Sequence, residues 1–547
     1  MCKPPKLLGV LVLILFATPL TVLAQDATPG PGTGLDARDA NDITVPPDFA
    51  VELVADGLPY LSDITFDDQG TAYLAATGGH TYGTAPEMAP PPQILKLLPD
   101  GGFEVVFDDV VPLDVIRDIP IGGEFPEGLI SLMTGITWHD GLLYVSHRTR
   151  ISTLNPETGQ FTTIVDNLPD WGEFHVGKPI FGPDGKLYFF MSSQGNTGPV
   201  DAHWMKVMTI FNKPLAHEIP CEAVTLTGED FAVVNDFTDE PGDWALTGVY
   251  VPFGVRTEPG QVIPGQVPCN GAMHRVNADG TELEVFAWGL RSDFGYRFSP
   301  SGRLIATQNS CNPIPPRQVY DDWEPIYHVE EGVWYGWPDY CSSVPIVDDR
   351  FAMPDDKDFT GEPEVHEFVL TESTRNRLLD GAAAPPPPLV TLRPHSAAQG
   401  MVFGRAEWGM DPESEILVAE WGNIIPYLRD DQPGFKVERV NLLTGETSDF
   451  VTNAAGPGPA SMLGNKGLER PIMVEWGPDG ALYVVDFGVV NITEKGMSAI
   501  PNTGAIWRVT RTGEAGTPGT MGTPVTGEVP MATEPLSSPV ADTPHKG

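Results

Sequence analysis

His175 stands in the run FHVGKPIFGPDGKLYFF, just ahead of a Gly-Pro-Asp-Gly turn. Imidazole exchanges a proton near neutral pH without special tuning, so this residue is the first candidate for a general base. Arg291, in WGLRSDFGYRFSPSGRLIAT, is the second. Its guanidinium stays charged and presents a rigid fork of donors suited to carboxylates and carbonyl oxygens, although an arginine there equally suits bracing carbonyls under a sheet. Lys466 and Arg470 lie close together in GNKGLERPIMVEW, a second source of positive charge. His147 and Arg148 follow another turn and rank lower than His175, while His395 in RPHSAAQG and Trp421 in VAEWGN fit a site or plain packing equally well. The sequence holds no Walker loop, no Gly-x-Ser-x-Gly elbow, no HExxH and no GxGxxG at a strand–helix junction.

These residues must be positioned by strands. An apolar strand end, a turn with Asp or Gly, and a strand of Leu-Tyr-Val character recur at 64–76, 136–146, 179–190, 296–307 and 474–485, with an enlarged copy at 401–420. Each reads as a hairpin whose turn needs a residue at positive φ. Hairpins repeated in this way build the blades of a β-propeller. The turn aspartates are turn formers rather than calcium ligands, because Pro-Asp-Gly is favoured turn chemistry. In such a ring the residues entering each innermost strand face the central cavity, which is where His175 falls. The segment 504–509 is expected to pair with the strand at 49–54 and close the ring. Residues 200–263 read as a long insertion with little periodicity, and 379–388 (LDGAAAPPPP) as a stiff surface linker.

The charge excludes some partners. With 74 acidic against 32 basic residues the net charge is −42, and this field repels nucleic acid and anionic membranes. The 59 Gly and 56 Pro favour turns over long helices. Residues 1–24 read as a secretory signal, with Lys3 and Lys6, a short apolar run at 7–16 and a small-residue cleavage site before Gln25. No other run approaches a membrane span, so no stable membrane insertion is expected after cleavage. Residues 25–42 are a polar lead-in, 43–510 the folded domain, and 511–547 a Thr/Pro/Gly-rich tail that cannot pack a core. After the signal, Cys221, Cys269, Cys311 and Cys341 remain, which implies two disulfides in an exported chain. Of three pairings, Cys221–Cys269 with Cys311–Cys341 is preferred, since each brackets one excursion. The location implied is secreted, periplasmic or cell-surface.

Gly-Leu-Arg-x-x-Phe-Gly at 289–295, a strand-turn-strand unit, and Tyr-Gly-Trp-Pro at 335–338 follow one another in that order. This combination resembles the glucose/sorbosone dehydrogenase family, quinoproteins on a six-bladed β-propeller, and the resemblance spans about residues 43–510. It implies oxidation of a sugar or polyol hydroxyl with hydride transfer to pyrroloquinoline quinone (PQQ) and an external electron acceptor beyond it. His175 would be the base. Arg291, Ser292 and Gln194 would hold the quinone, Arg470 and Lys466 its carboxylates, and Tyr335 and Glu324 a Ca²⁺ ion. The chain departs from the family pattern in four places. Ser292 replaces an Asn, and Ser193 stands where an Asp orients the His, with Glu173 as a substitute. Ile472 replaces a second Arg, leaving Lys466 or Lys178 to supply the charge. Glu324-Pro325 replaces an acidic pair. These departures suit a rival reading, a propeller that binds a glycan or protein partner at the cell surface without turnover. A metal-dependent lactone hydrolase, the remaining rival, needs a convergent Glu/Asn/Asp cluster that these spacings do not offer.

Overall fold

The computed structural model describes residues 37–78, 90–238, 240, 242–354, 366–426, 431–493 and 496–512. The expected signal segment, most of the lead-in and the tail from 513 onward lie outside the described residues. Six sheets form the blades of a β-propeller. Each recurrent hairpin supplies the two innermost strands of one blade. The pairs are Leu61–Phe66 with Ala72–Ala76, Met133–His139 with Leu142–His147, Ile180–Phe181 with Leu187–Met191, Asp293–Phe298 with Leu304–Gln308, Ala398–Phe403 with Glu415–Glu420, and Pro471–Trp476 with Leu482–Asp486. We number the blades one to six in that order. The enlarged turn of blade five holds a short 3-10 helix, Ala406–Trp408.

The turns behave as their residue types require. Gly185 and Gly480 both sit at φ +77, yet a Cβ on either would meet no neighbour. The left-handed backbone, not crowding, therefore selects glycine there. Asp184 and Asp479 each accept the backbone N–H two residues on, at 3.1 Å, as turn formers do.

The ring closes through its first strand. Phe49–Leu58 pairs antiparallel with Gly504–Arg511, with Val51 opposite Val509 and Leu53 opposite Trp507. Ile43–Thr44 adds to blade five, so the start of the fold clasps two blades. This closes the ring, leaves only short edges on each blade and keeps each blade packed on its neighbours. One buried cluster, for example, joins Val402, Leu417 and Val437 of blade five to Val474, Val484 and Trp507 of blade six.

Two excursions decorate the ring. Blade three carries one between Met191 and Ala272, closed by the Cys221–Cys269 disulfide, and Cys311–Cys341 ties down the one in blade four. Both bridges follow the preferred pairing. The first excursion contains a helix the sequence reading passed over, Ala202–Phe211. Asp201 caps it by accepting from the N–H groups of His203 and Trp204, and Asn212 ends it in the left-handed conformation. Its buried face, Trp204, Val207, Met208 and Phe211, packs with Trp171, Phe125 and Ile116.

Candidate functional site in the axial cavity

The innermost strands begin around a cavity of about 180 Å³, more than ten times the roughly 15 Å³ that one water needs, so it is of small-molecule size. All six blades contribute, including Ser62 from blade one, Thr134 from two, His175 from three, Phe294 from four, Gln399 from five and Ile472 from six. Val207 brings the inserted helix to the same wall. Further along the same strands a charge cluster crosses the axis. Lys178 Nζ lies 2.9 Å from Asp63 Oδ1 and 3.0 Å from Glu475 Oε2, and Arg297 Nη2 lies 2.7 Å from the same Glu475 oxygen.

His175 lines the cavity with a side chain 12% exposed. Its Nδ1 is 3.0 Å from Asp170 Oδ1. A nitrogen facing a carboxylate carries the proton, so Nε2 is left as the basic atom. Burial lowers the pKa of this imidazole below its ordinary value; Asp170 opposes that shift and Arg148 adds to it. Burial alone would raise the Asp170 carboxyl, but His175 and Arg148 outweigh it and keep the group ionised. Arg148, fully buried behind the pair, donates to the carbonyls of Ser131 at 2.9 Å and Asp170 at 2.8 Å. Such a pair, with Arg148 Nη2 a further 3.4 Å from Nδ1, can act as a base oriented by a buried acid. The acid is therefore Asp170, five residues before the His. It is neither Ser193, whose Oγ donates to Gly195 O at 2.8 Å, nor Glu173, whose Oε1 lies 3.2 Å from His203 Nδ1.

Glu324 also lines the cavity. Its carboxylate accepts from Ser310 Oγ at 2.8 Å, Ser310 N at 3.1 Å and Asn309 Nδ2 at 3.4 Å. Burial raises its pKa to about 7, so it changes charge near neutrality. His395 and Trp421, left open between site and packing, are both at the cavity wall.

The other expected ligands lie elsewhere. Arg291 is fully buried and donates to Asn196 O (3.0 Å), Asn196 Oδ1 (3.0 Å) and Asn309 O (3.3 Å), with its guanidinium 4.2 Å from the centre of the Phe174 ring. Phe174 lines the cavity; Arg291 does not. Ser292, its neighbour, is likewise buried away from the lining. Gln194 is occupied by Trp171 N at 3.1 Å and the carbonyl of His217. Arg470 packs on the rings of Trp421 (4.0 Å) and Phe435 (4.9 Å) and donates to Trp421 O. Lys466 lies by the first described segment, with its N–H on Asp42 and its carbonyl accepting from Asp39. His147 is buried against Ser152 (2.8 Å). The Tyr335 hydroxyl donates to His328 O at 2.7 Å, away from the lining, so it is not brought to Glu324.

Among the described residues, then, no Lys or Arg lines the cavity, which instead carries two carboxylates, Glu173 and Glu324. PQQ bears carboxylates and needs cations against them. The residues present do not fit it in the manner the family resemblance implies. Nor do they make the expected Ca²⁺ site. Among the described residues, the one grouping of three potential metal ligands is Cys311, Asp322 and Cys341, and both of its sulfurs are in a disulfide.

Sequence reasoning found His175 from its place before a hairpin. It missed Asp170 because the acid was sought after the hairpin. The signal was a single acid, Asp170, in the buried stretch Pro169-Asp170-Trp171 between two strands.

The chain is similar in outline to solved sugar dehydrogenase structures. The holo PQQ domain of pyranose dehydrogenase from Coprinopsis cinerea is 16% identical, with a TM-score of 0.48 over 86% of this chain and 97% of that one. PQQ-bound aldose sugar dehydrogenase from Streptomyces coelicolor is 14% identical, with a TM-score of 0.43 over 85% and 100%. A Trichoderma reesei protein of carbohydrate-active enzyme family AA12 is 13% identical, with a TM-score of 0.48 over 88% and 100%. No protein-family profile matches the chain, and no curated protein does. These are likenesses of outline, and the cavity is read from this chain's own residues.

Proposed function

We propose that the protein is an exported oxidoreductase that removes a proton and a hydride from a hydroxyl of a sugar or polyol held in the axial cavity. The observation that carries this reading is the His175–Asp170 pair at the cavity wall, 3.0 Å apart, with the imidazole neutral and Nε2 free to take the proton. Asp170 stabilises the imidazolium that forms, as a buried carboxylate does for any His base. Ser62, Thr134, Asn309 and Gln399 offer neutral donors and acceptors for ligand hydroxyls. The hydride goes to a quinone-type acceptor supplied from outside the chain. No step is routed through PQQ, because the lining does not match its charge. The two disulfides support a compartment outside the reducing cytoplasm.

The test is sugar-dependent reduction of quinones or dyes across a panel of aldoses and polyols, with and without added PQQ and Ca²⁺. Turnover that falls by about 10²–10⁴ in His175→Ala supports the reading. The absence of Lys and Arg from the lining among the described residues favours a second reading, a glycan-binding propeller without turnover. Sugars that bind by calorimetry but reduce no acceptor would establish that one instead.

A further inference from the structure

The cavity has two unlike ends. Blade three brings His175 to the wall, and blade six stands across the axis from it. Among the described residues, blade six and the strand Gly496–Ala499 that extends it contribute only apolar side chains to the lining, namely Ile472, Phe487, Met497 and Ala499. The flanking blades complete an aromatic wall there. Tyr60, just before the first strand of blade one, stacks on Phe487 with ring centres 5.6 Å apart and planes 6° from parallel. Trp421, just after the second strand of blade five, meets Phe487 edge-on at 6.0 Å. The Tyr60 hydroxyl donates to Ala499 O at 2.9 Å, so this residue offers its ring rather than a donor. The Arg470 guanidinium, 4.0 Å from the Trp421 ring centre, braces that ring before any ligand arrives, which lowers the entropy lost on binding.

The more open part of the wall has the same character. Apart from His175 and Asn309, every described lining residue that is only half-buried is apolar: Phe174, Phe294, Trp421, Ile424 and Ala499. The donors of the polar side chains are largely engaged within the protein. Ser62 Oγ donates to Met133 O at 3.0 Å, Asn309 Nδ2 to Ala398 O at 2.7 Å, and Gln399 Nε2 to Asn309 Oδ1 at 3.2 Å. A bare hexose carries a hydroxyl on nearly every carbon. Seated here, several of them would lose water without gaining a partner, and each such loss is unfavourable. An aromatic ring on the same wall gains by leaving water and by ring–ring contact.

We infer that the ligand of this cavity pairs a hydroxyl group with an aromatic group, as an aryl glycoside does, the hydroxyl meeting His175 and the ring lying against Phe487, Tyr60 and Trp421. This rests on the proposed reading of the cavity as a sugar or polyol site and narrows its substrate class. Binding energy gained at the apolar end holds the hydroxyl at the base.

The experiment is calorimetric titration of the full exported chain. Phenyl β-D-glucoside is compared with methyl β-D-glucoside, and 3-phenylpropane-1,2-diol with butane-1,2-diol, so that each pair differs only in phenyl against methyl. The phenyl compound is expected to bind at least ~10-fold more tightly than its partner. In Phe487→Leu, which keeps the wall apolar but removes its central ring, that ratio should fall by at least ~3-fold. If the variant does not fold, as judged by circular dichroism, the wild-type comparisons decide alone. A phenyl preference in either pair supports the inference. Its absence from both overturns it, whether the partners bind equally or not at all, and so does a preference that is unchanged in a folded Phe487→Leu. Phenyl preference without dye reduction by any alcohol of a wide panel would sink only the oxidoreductase reading, and dye reduction without phenyl preference would sink only this one.

Discussion

Replacing Lys178 with Met tests whether the axial charge cluster stabilises the ring that frames the cavity. Lys178 is 4% exposed and touches carboxylates from blade one and blade six, while Arg297 reaches the latter from blade four. Burial would raise the Glu475 carboxyl, but Lys178 first and Arg297 second pull it from an ordinary 4.5 down to about 2. A carboxylate whose native pKa is depressed adds stability above its unfolded value and loses it as pH falls toward the native one. At about 1.4 kcal/mol per pH unit, the gap here corresponds to about 3 kcal/mol, present above pH 4.5 and lost toward pH 2. The variant forfeits the larger part of this and also leaves Asp63, fully buried, without its cation. Removing one partner of such a buried pair costs about 3–5 kcal/mol. A fold of this size has an unfolding entropy of about 1 kcal/mol/K, so the melting midpoint should drop by about 3–5 °C at neutral pH. The drop should shrink steadily in scans taken below pH 4.5, because the wild type loses there what the variant already lacks. A midpoint unchanged at neutral pH, or a gap of the same size at about pH 3 and at about pH 7, would refute the reasoning.

Three further outcomes follow from the same geometry. Asp170→Asn should lower kcat by about 10²–10⁴ with little change in KM, since the amide no longer enforces the Nδ1–H tautomer. With the opposing carboxylate gone, the acid limb of its pH–rate profile should move to lower pH, as the neutral form of His175 is favoured further. Asp293 is buried, neither of its oxygens has a partner, and burial alone raises its pKa well above the ordinary value. The native state therefore holds a proton that the unfolded chain releases, and stability falls as pH rises. Asp293→Asn should gain stability over the wild type, with a gap widening from about pH 4 upward at up to ~1.4 kcal/mol per pH unit, read from urea midpoints. Removing the Cys221–Cys269 bridge, which spans 48 residues, should cost about 4 kcal/mol by loop-closure entropy, seen as faster proteolytic cutting inside the blade-three excursion.

Much of the fold is legible in the sequence because its signals are local. Gly-turn hairpins with period-two strands mark six blades, and each falls on the inner pair of a blade, even where blade five enlarges its turn. The helix Ala202–Phe211 was legible too, from an Asp cap and apolar residues spaced by three and four, but it lies inside an aperiodic insertion that masks it.

The site divides differently. The sequence by itself determined the blade count, the closing strand and the placing of His175 at the entrance of an innermost strand, whereas the disulfide pairing, one of three the sequence allows, was decided by the structure. The first three follow from backbone periodicity and from residues near in sequence. Only the tertiary structure decided what each cation does. Arg291, Arg470, Lys466 and Lys178 carry the charge that an anionic cofactor would want. Distant segments fix where three of them go: Asn196 holds Arg291, Trp421 holds Arg470, and Asp63 with Glu475 hold Lys178, while the Lys466 backbone N–H on Asp42 sets that residue beside the first described segment. A buried cation must be paired or solvated by carbonyls, and which groups reach it is set by how the blades meet around the axis. That meeting left Glu173 and Glu324, rather than the arginines, facing the cavity.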